Sequence, residues 1–120
     1  MRVTGMDATY YTVENLDAEV AFYTKLLGAE PGVLMPNRIA EWEFDDGSAF
    51  GLYRTEEKIV KKSGAAMFAV TDMEQAIADA RADGIGLHGD AEITDTPVCR
   101  MVFGADPEGN EFILHHRKTH

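Results

Sequence analysis

With 120 residues, and 11 Lys and Arg against 21 Asp and Glu, the chain suits one compact domain with a formal charge of −10. Such a charge repels a nucleic-acid backbone or an anionic membrane surface, so neither is expected as a partner. No apolar run approaches the roughly 20 residues of a membrane span. The N-terminus lacks the basic-then-apolar layout of a secretory signal, and the single Cys99 excludes an intrachain disulfide and a cysteine-based zinc site, so a reducing cytoplasm is the expected compartment.

In chain order, Tyr11-Thr12-Val13 reads as strand, and Asn15 as the cap of a helix whose apolar face is Leu16, Val20, Tyr23 and Leu27, stopped by Gly28. Val33-Leu34-Met35 reads as a short strand ending at Pro36. Two further strands, Ile39 to Phe44 and Ser48 to Tyr53, flank the hairpin signal Asp45-Asp46-Gly47. The charged stretch 54–63 reads as a linker. After it the pattern returns. Phe68-Ala69-Val70 precedes the cap Asp72, and a thinner helical face follows at Met73, Ile77 and Ala80, stopped near Gly84. Val98 to Phe103 and Glu111 to His115 then flank a turn at Asp106-Pro107-Glu108-Gly109-Asn110. An offset of 57 superposes Val13 on Val70, Asn15 on Asp72, Leu16 on Met73 and Val20 on Ile77. Each half is thus expected to be βαβββ, and neither buries its sheet alone.

This arrangement resembles the vicinal oxygen chelate superfamily, which includes glyoxalase I, extradiol dioxygenases, fosfomycin-resistance enzymes and bleomycin-resistance proteins. The residues carrying the likeness are Val13 to Leu16, the run Ala21-Phe22-Tyr23-Thr24-Lys25-Leu26-Leu27-Gly28, and Asp106 to Asn110. The resemblance implies an α+β fold: two βαβββ modules forming one curved, partly open eight-stranded barrel with two helices. It implies one domain over 1–120, with modules at about 5–56 and 64–116. Fold likeness by itself does not assign an activity, since the superfamily hosts many.

Enzymes of that family hold a divalent metal with His, Glu or Gln on inward-facing strand positions. Carried over, those positions fall on Ala8, Gly51, Ala65 and Ile113. None of these side chains offers a lone pair, so no metal and no other cofactor is expected. His115 and Glu111 share a strand face with Ile113, and His116 and His120 are four apart, yet three convergent ligands are not in sight. Cys99 reads as a buried small side chain rather than a nucleophile. The glycines of Gly84-Ile85-Gly86-Leu87-His88-Gly89 follow a helix instead of opening one, unlike a phosphate loop.

Period-two alternation about the carried-over positions puts Tyr10, Thr12, Tyr53, Met67, Glu111 and His115 on the cavity side, with Met101 and Phe103 as further lining. Two registers are open for 39–44. In the preferred one Trp42 and Phe44 face the helix, which leaves Glu41 and Glu43 at the cavity; a slip of one residue exchanges the pairs. Aromatic walls and carboxylates suit a small aromatic or cationic ligand. The resemblance to bleomycin-resistance proteins therefore implies a metal-independent, non-enzymatic homodimer that sequesters an antibiotic or aromatic natural product. The alternative is a metal-independent isomerase, epimerase or cyclase of a small carbonyl compound, or a glyoxalase-like enzyme, with His115, Glu111 and Tyr10 as acid and base groups.

Overall fold

A computed structural model describes residues 1, 2, 4, 6–56 and 65–118. Most of the expected linker and His120 lie outside them. The chain divides into two compact units, Met1–Val60 and Lys61–His120. The first contains β1 (Ala8–Val13), α1 (Leu16–Leu27), β2 (Val33–Met35), β3 (Ile39–Glu43) and β4 (Ala49–Arg54). The second contains β5 (Ala65–Ala69), α2 (Met73–Ala82), β6 (Thr94–Asp95), β7 (Cys99–Ala105) and β8 (Glu111–Arg117). Each is the expected βαβββ unit, and each forms an open four-stranded sheet, in the orders β1-β4-β3-β2 and β5-β8-β7-β6. The helix returns the chain across the sheet, so the first and last strands of each unit pair parallel while the hairpins pair antiparallel.

Local chemistry sets the helix ends. The Asn15 carboxamide accepts from the Ala18 N–H, and the Asp72 carboxylate from the Gln75 N–H, each at 3.1 Å. Gly28 closes α1 in the left-handed region at φ 74°, its N–H donating to the Thr24 carbonyl. The buried stripe of α1 is Leu16, Glu19 and Tyr23, with Val20 and Leu27 only half-buried. Glu19 therefore lies in the buried stripe, where the expected face had Val20. It is three residues beyond Leu16 and four before Tyr23, so it shares their face whatever its polarity.

The first core is aromatic. Tyr23 meets Phe50 at 4.8 Å and Trp42 at 6.3 Å between ring centroids, and Tyr11 meets Phe50 edge-on at 5.5 Å. Buried Trp42 finds a partner for its indole N–H in the Ala29 carbonyl, 2.8 Å away just beyond α1. The second core gathers Met73, Ile77 and Ala80 of α2 with Val102, Phe112 and Leu114.

The two hairpin turns share one geometry. Phe44 N–H donates to Ser48 O and Gly47 N–H to Phe44 O; Asp106 N–H donates to Asn110 O and Gly109 N–H to Asp106 O. Gly47 and Gly109 have φ of 86° and 85°, a region in which glycine carries no Cβ penalty. Buried Asp106 accepts from the N–H groups of Glu108 and Asn110 and from the Asn110 amide. The Asp-Pro-x-Gly-Asn signature is thus a folding device: its carboxylate satisfies turn donors that would otherwise be orphaned.

Two surface pairs tie the second unit. Glu74 of α2 meets Arg100 of β7 at 2.7 Å, and Asp95 of β6 meets Lys118 at 2.6 Å. Hydrogen bonds from Arg100 and from Lys118 hold the two carboxyls below their ordinary range. In the first unit the Ser48 hydroxyl does the same for Asp46. Folded carboxyl pKa values below the unfolded ones stabilise the fold above the ordinary carboxylate range, and that contribution is lost as pH falls below about 4. A modest drop in thermal midpoint between pH 5 and pH 3 is expected, smaller in a Glu74→Gln/Asp95→Asn variant; these pairs are exposed, so the difference is small. Identical acid profiles of the two proteins would assign the loss to other carboxylates. Among the described residues no helix is long and apolar enough to cross a membrane.

Candidate functional site

In the first unit, strand register decides which side chains share the face opposite α1. Tyr10, Gly51, Glu41 and Val33 stand in one row across β1, β4, β3 and β2, and Thr12, Tyr53, Ile39 and Met35 in the next. Ala8, Ala49 and Glu43 form a third row. Trp42 pairs with Phe50 and lies on the α1 side, 3% exposed. Its place among the ligand-lining candidates, which belonged to the slipped register, is therefore corrected: Tyr23, Phe50 and the Ala29 carbonyl draw the indole into the core. Glu41 and Glu43 take the other face, as the preferred register has it.

Tyr10 reaches across two strands. Its hydroxyl donates to Glu41 Oε2, and its ring passes over Gly51 between them. A Cβ built at Gly51 would lie 2.4 Å from Tyr10 Cε2 and 2.7 Å from both flanking ring atoms. Near-equal, only slightly longer distances to the flanking atoms are those of a point above the ring plane; an edge-on approach would leave them markedly farther. The phenol thus lies face-down on the glycine, and its other face is turned outward, with Tyr10 40% exposed. Glycine is what lets the ring lie here, because any side chain at 51 would displace it.

In the second unit the face away from α2 carries Met67, Ile113 and Phe103 in one row, and Ala69, His115, Met101 and Thr94 in the next. Ala65, Glu111 and Ala105 make the third. Cys99 and Arg117 extend the same face beyond His115, so it is apolar at its middle and carries one carboxylate, one imidazole and one guanidinium along β8. Glu111 and His115 point the same way but stand four residues apart on one extended strand, about 13 Å along it. They do not form the acid–base pair that alternation alone suggested. His116 takes the α2 side, its Nδ1 3.1 Å from the Val70 carbonyl. Cys99 is buried, with its sulfur 3.2 Å from the Thr96 hydroxyl.

The four positions that the resemblance reserves for metal ligands all fall on these two faces. Ala8 and Ala65 present methyl groups, Ile113 a hydrocarbon, and Gly51 is covered by the Tyr10 ring. The residues present do not fit a divalent metal at that site. Among the described residues no group of three or more His, Cys, Asp or Glu is disposed to hold one elsewhere.

No protein-family profile matches the sequence, and no curated protein matches it. Solved structures do match. A glyoxalase/bleomycin resistance protein from Catenulispora acidiphila is 22% identical, with a TM-score of 0.75 over 93% of this chain and 98% of that one. Lactoylglutathione lyase from Agrobacterium tumefaciens is 17% identical, with a TM-score of 0.78 over 97% of this chain and 96% of that one. A glyoxalase/bleomycin resistance protein/dioxygenase from Nocardioides is 19% identical, with a TM-score of 0.75 over 98% and 85%. The chain has the fold of these proteins, the α+β vicinal oxygen chelate fold built from two βαβββ units. At such identities the likeness is one of fold.

Proposed function

We propose that this chain is a metal-independent small-molecule binding protein, holding an aromatic or cationic natural product such as an antibiotic against the sheet faces opposite its helices. The observation that carries this reading is the Tyr10 ring lying on Gly51. It puts an aromatic surface with a carboxylate at its edge where a metal-dependent relative would need a ligand. Flat heteroaromatic molecules stack on such rings, and carboxylates select positive charge or hydrogen-bond donors. The apolar face of Met67, Phe103 and Ile113 supports the same reading, as do the bleomycin-resistance proteins among the fold neighbours. A cytoplasmic homodimer that sequesters its ligand without turnover is the corresponding assembly.

Calorimetric titration with a panel of aromatic, cationic natural products tests this proposal. Saturable binding that is weakened by Phe103→Ser supports it. Absent binding across the panel, with turnover of a small substrate, overturns it.

A second reading rests on the Tyr10–Glu41 hydrogen bond. A carboxylate beside a phenol is a base with an adjacent acid, suited to moving a proton next to a carbonyl in an isomerase, epimerase or cyclase. Metal analysis of the purified protein, together with assay of methylglyoxal–glutathione turnover, separates this from a glyoxalase-like activity. Stoichiometric bound metal with turnover would displace both metal-independent readings.

A further inference from the structure

We infer that the outward face of Tyr10, with Glu41 at its rim and Tyr53 beside it, is a subsite for an organic ammonium group. The inference rests on the reading of this face as ligand-binding and adds which part of a ligand it takes.

Three observations converge. Tyr10 is held flat because Gly51 leaves room beneath it, so one whole π face is presented outward rather than an edge. A ring face is the negative pole of the aromatic quadrupole and attracts a cation lying over it. The Tyr10 hydroxyl donates to Glu41, and donation to an anion raises electron density in the ring, which strengthens that attraction. Tyr53 is the diagonal neighbour of both Tyr10 and Glu41, since Gly51 pairs with Tyr10 and Glu41 and Tyr53 lies two residues further along β4. Diagonal neighbours on one sheet face stand about 7–8 Å apart, within reach of an aromatic side chain. Tyr53 is 54% exposed, so its ring is open to a ligand on the same sheet face.

Charge agrees with shape. No Lys or Arg stands at any position of this face on β1, β2, β3 or β4, while Glu41 and Glu43 both do. Two tyrosines and a carboxylate on one sheet face suit an alkylated ammonium better than a metal ion. The rings offer no lone pairs for coordination, and an ammonium with alkyl groups needs few hydrogen-bond acceptors.

Choline and its uncharged isostere 3,3-dimethylbutan-1-ol are the probes, followed by the ring proton resonances of the four tyrosines in the full chain. Choline is expected to shift Tyr10 and Tyr53 saturably, and the isostere to bind about fivefold or more weakly. Glu41→Gln and Tyr53→Leu should each weaken choline while leaving the fold intact, as read from buried Trp42 fluorescence. Equal response to both probes, choline binding indifferent to Glu41→Gln, or no shift of either ring would overturn the subsite. If choline fails while a member of the aromatic panel binds, the subsite falls and the binding function stands. If choline binds and the panel does not, the subsite stands and the ligand narrows to a small ammonium compound, while the aromatic part of the binding proposal falls.

Discussion

Replacing Phe50 by alanine is expected to lower the unfolding free energy by about 3–5 kcal/mol. Phe50 is 1% exposed and touches the three other rings of that core: Tyr11 at 5.5 Å, Tyr23 at 4.8 Å and Trp42 at 6.1 Å between centroids. Deleting it removes the ring's burial and also leaves a cavity that three large, differently anchored neighbours do not fill. Trp42 is held by the Ala29 carbonyl, and Tyr11 by the β1–β4 register. The chain has one tryptophan and it lies in this core, so urea titration followed by Trp42 fluorescence reads the effect directly. A loss under about 1 kcal/mol would mean that the cluster repacks freely and that the aromatic core is not what holds α1 to its sheet.

Gly104→Ala is expected to cost about 1–3 kcal/mol by overpacking. A Cβ there would lie 2.4 Å from Phe112 Cζ, and Phe112 is fully buried in the second core with nowhere to move. Gly51→Ala makes an instructive contrast, because the same 2.4 Å clash arises there with Tyr10 Cε2. Tyr10 is half-exposed and can swing outward, so the stability change should stay below about 1 kcal/mol. The displaced phenol then loses Glu41, and the choline response should go with it. Far-UV circular dichroism is the readout for Gly104→Ala, since Trp42 belongs to the other unit. If the two alanine variants were equally destabilised, ring mobility would not be what separates the structural glycine from the site glycine.

Much of the architecture is legible in local chemistry. Asn15 and Asp72 announce two helix starts because a short polar side chain satisfies the first free N–H groups. Gly28 announces a stop because it accepts positive φ. The turns at Asp45-Asp46-Gly47 and Asp106 to Asn110 are legible for the same reason. Glu19 was missed because a stripe read by apolar type passes over a carboxylate lying on it, although its spacing from Leu16 and Tyr23 was visible. The proposed pairing of Glu111 with His115 failed for the opposite reason: alternation assigns a common face correctly but says nothing of the distance along the strand.

The sequence alone determined the order of elements, the twofold repeat and the absence of any lone pair at Ala8, Gly51, Ala65 and Ile113, since these follow from residue type and short-range spacing. Tertiary structure decided the rest. Ile39 to Phe44 alternates acceptably in either register, and only contact with Tyr23, Phe50 and the carbonyl beyond α1 sends Trp42 inward and Glu41 out. Tyr10, Gly51 and Glu41 are far apart in the chain and become one row only through parallel pairing of β1 with β4 and antiparallel pairing of β4 with β3. A phenol lying flat on a glycine is a property of that three-strand register, which no short window of sequence contains.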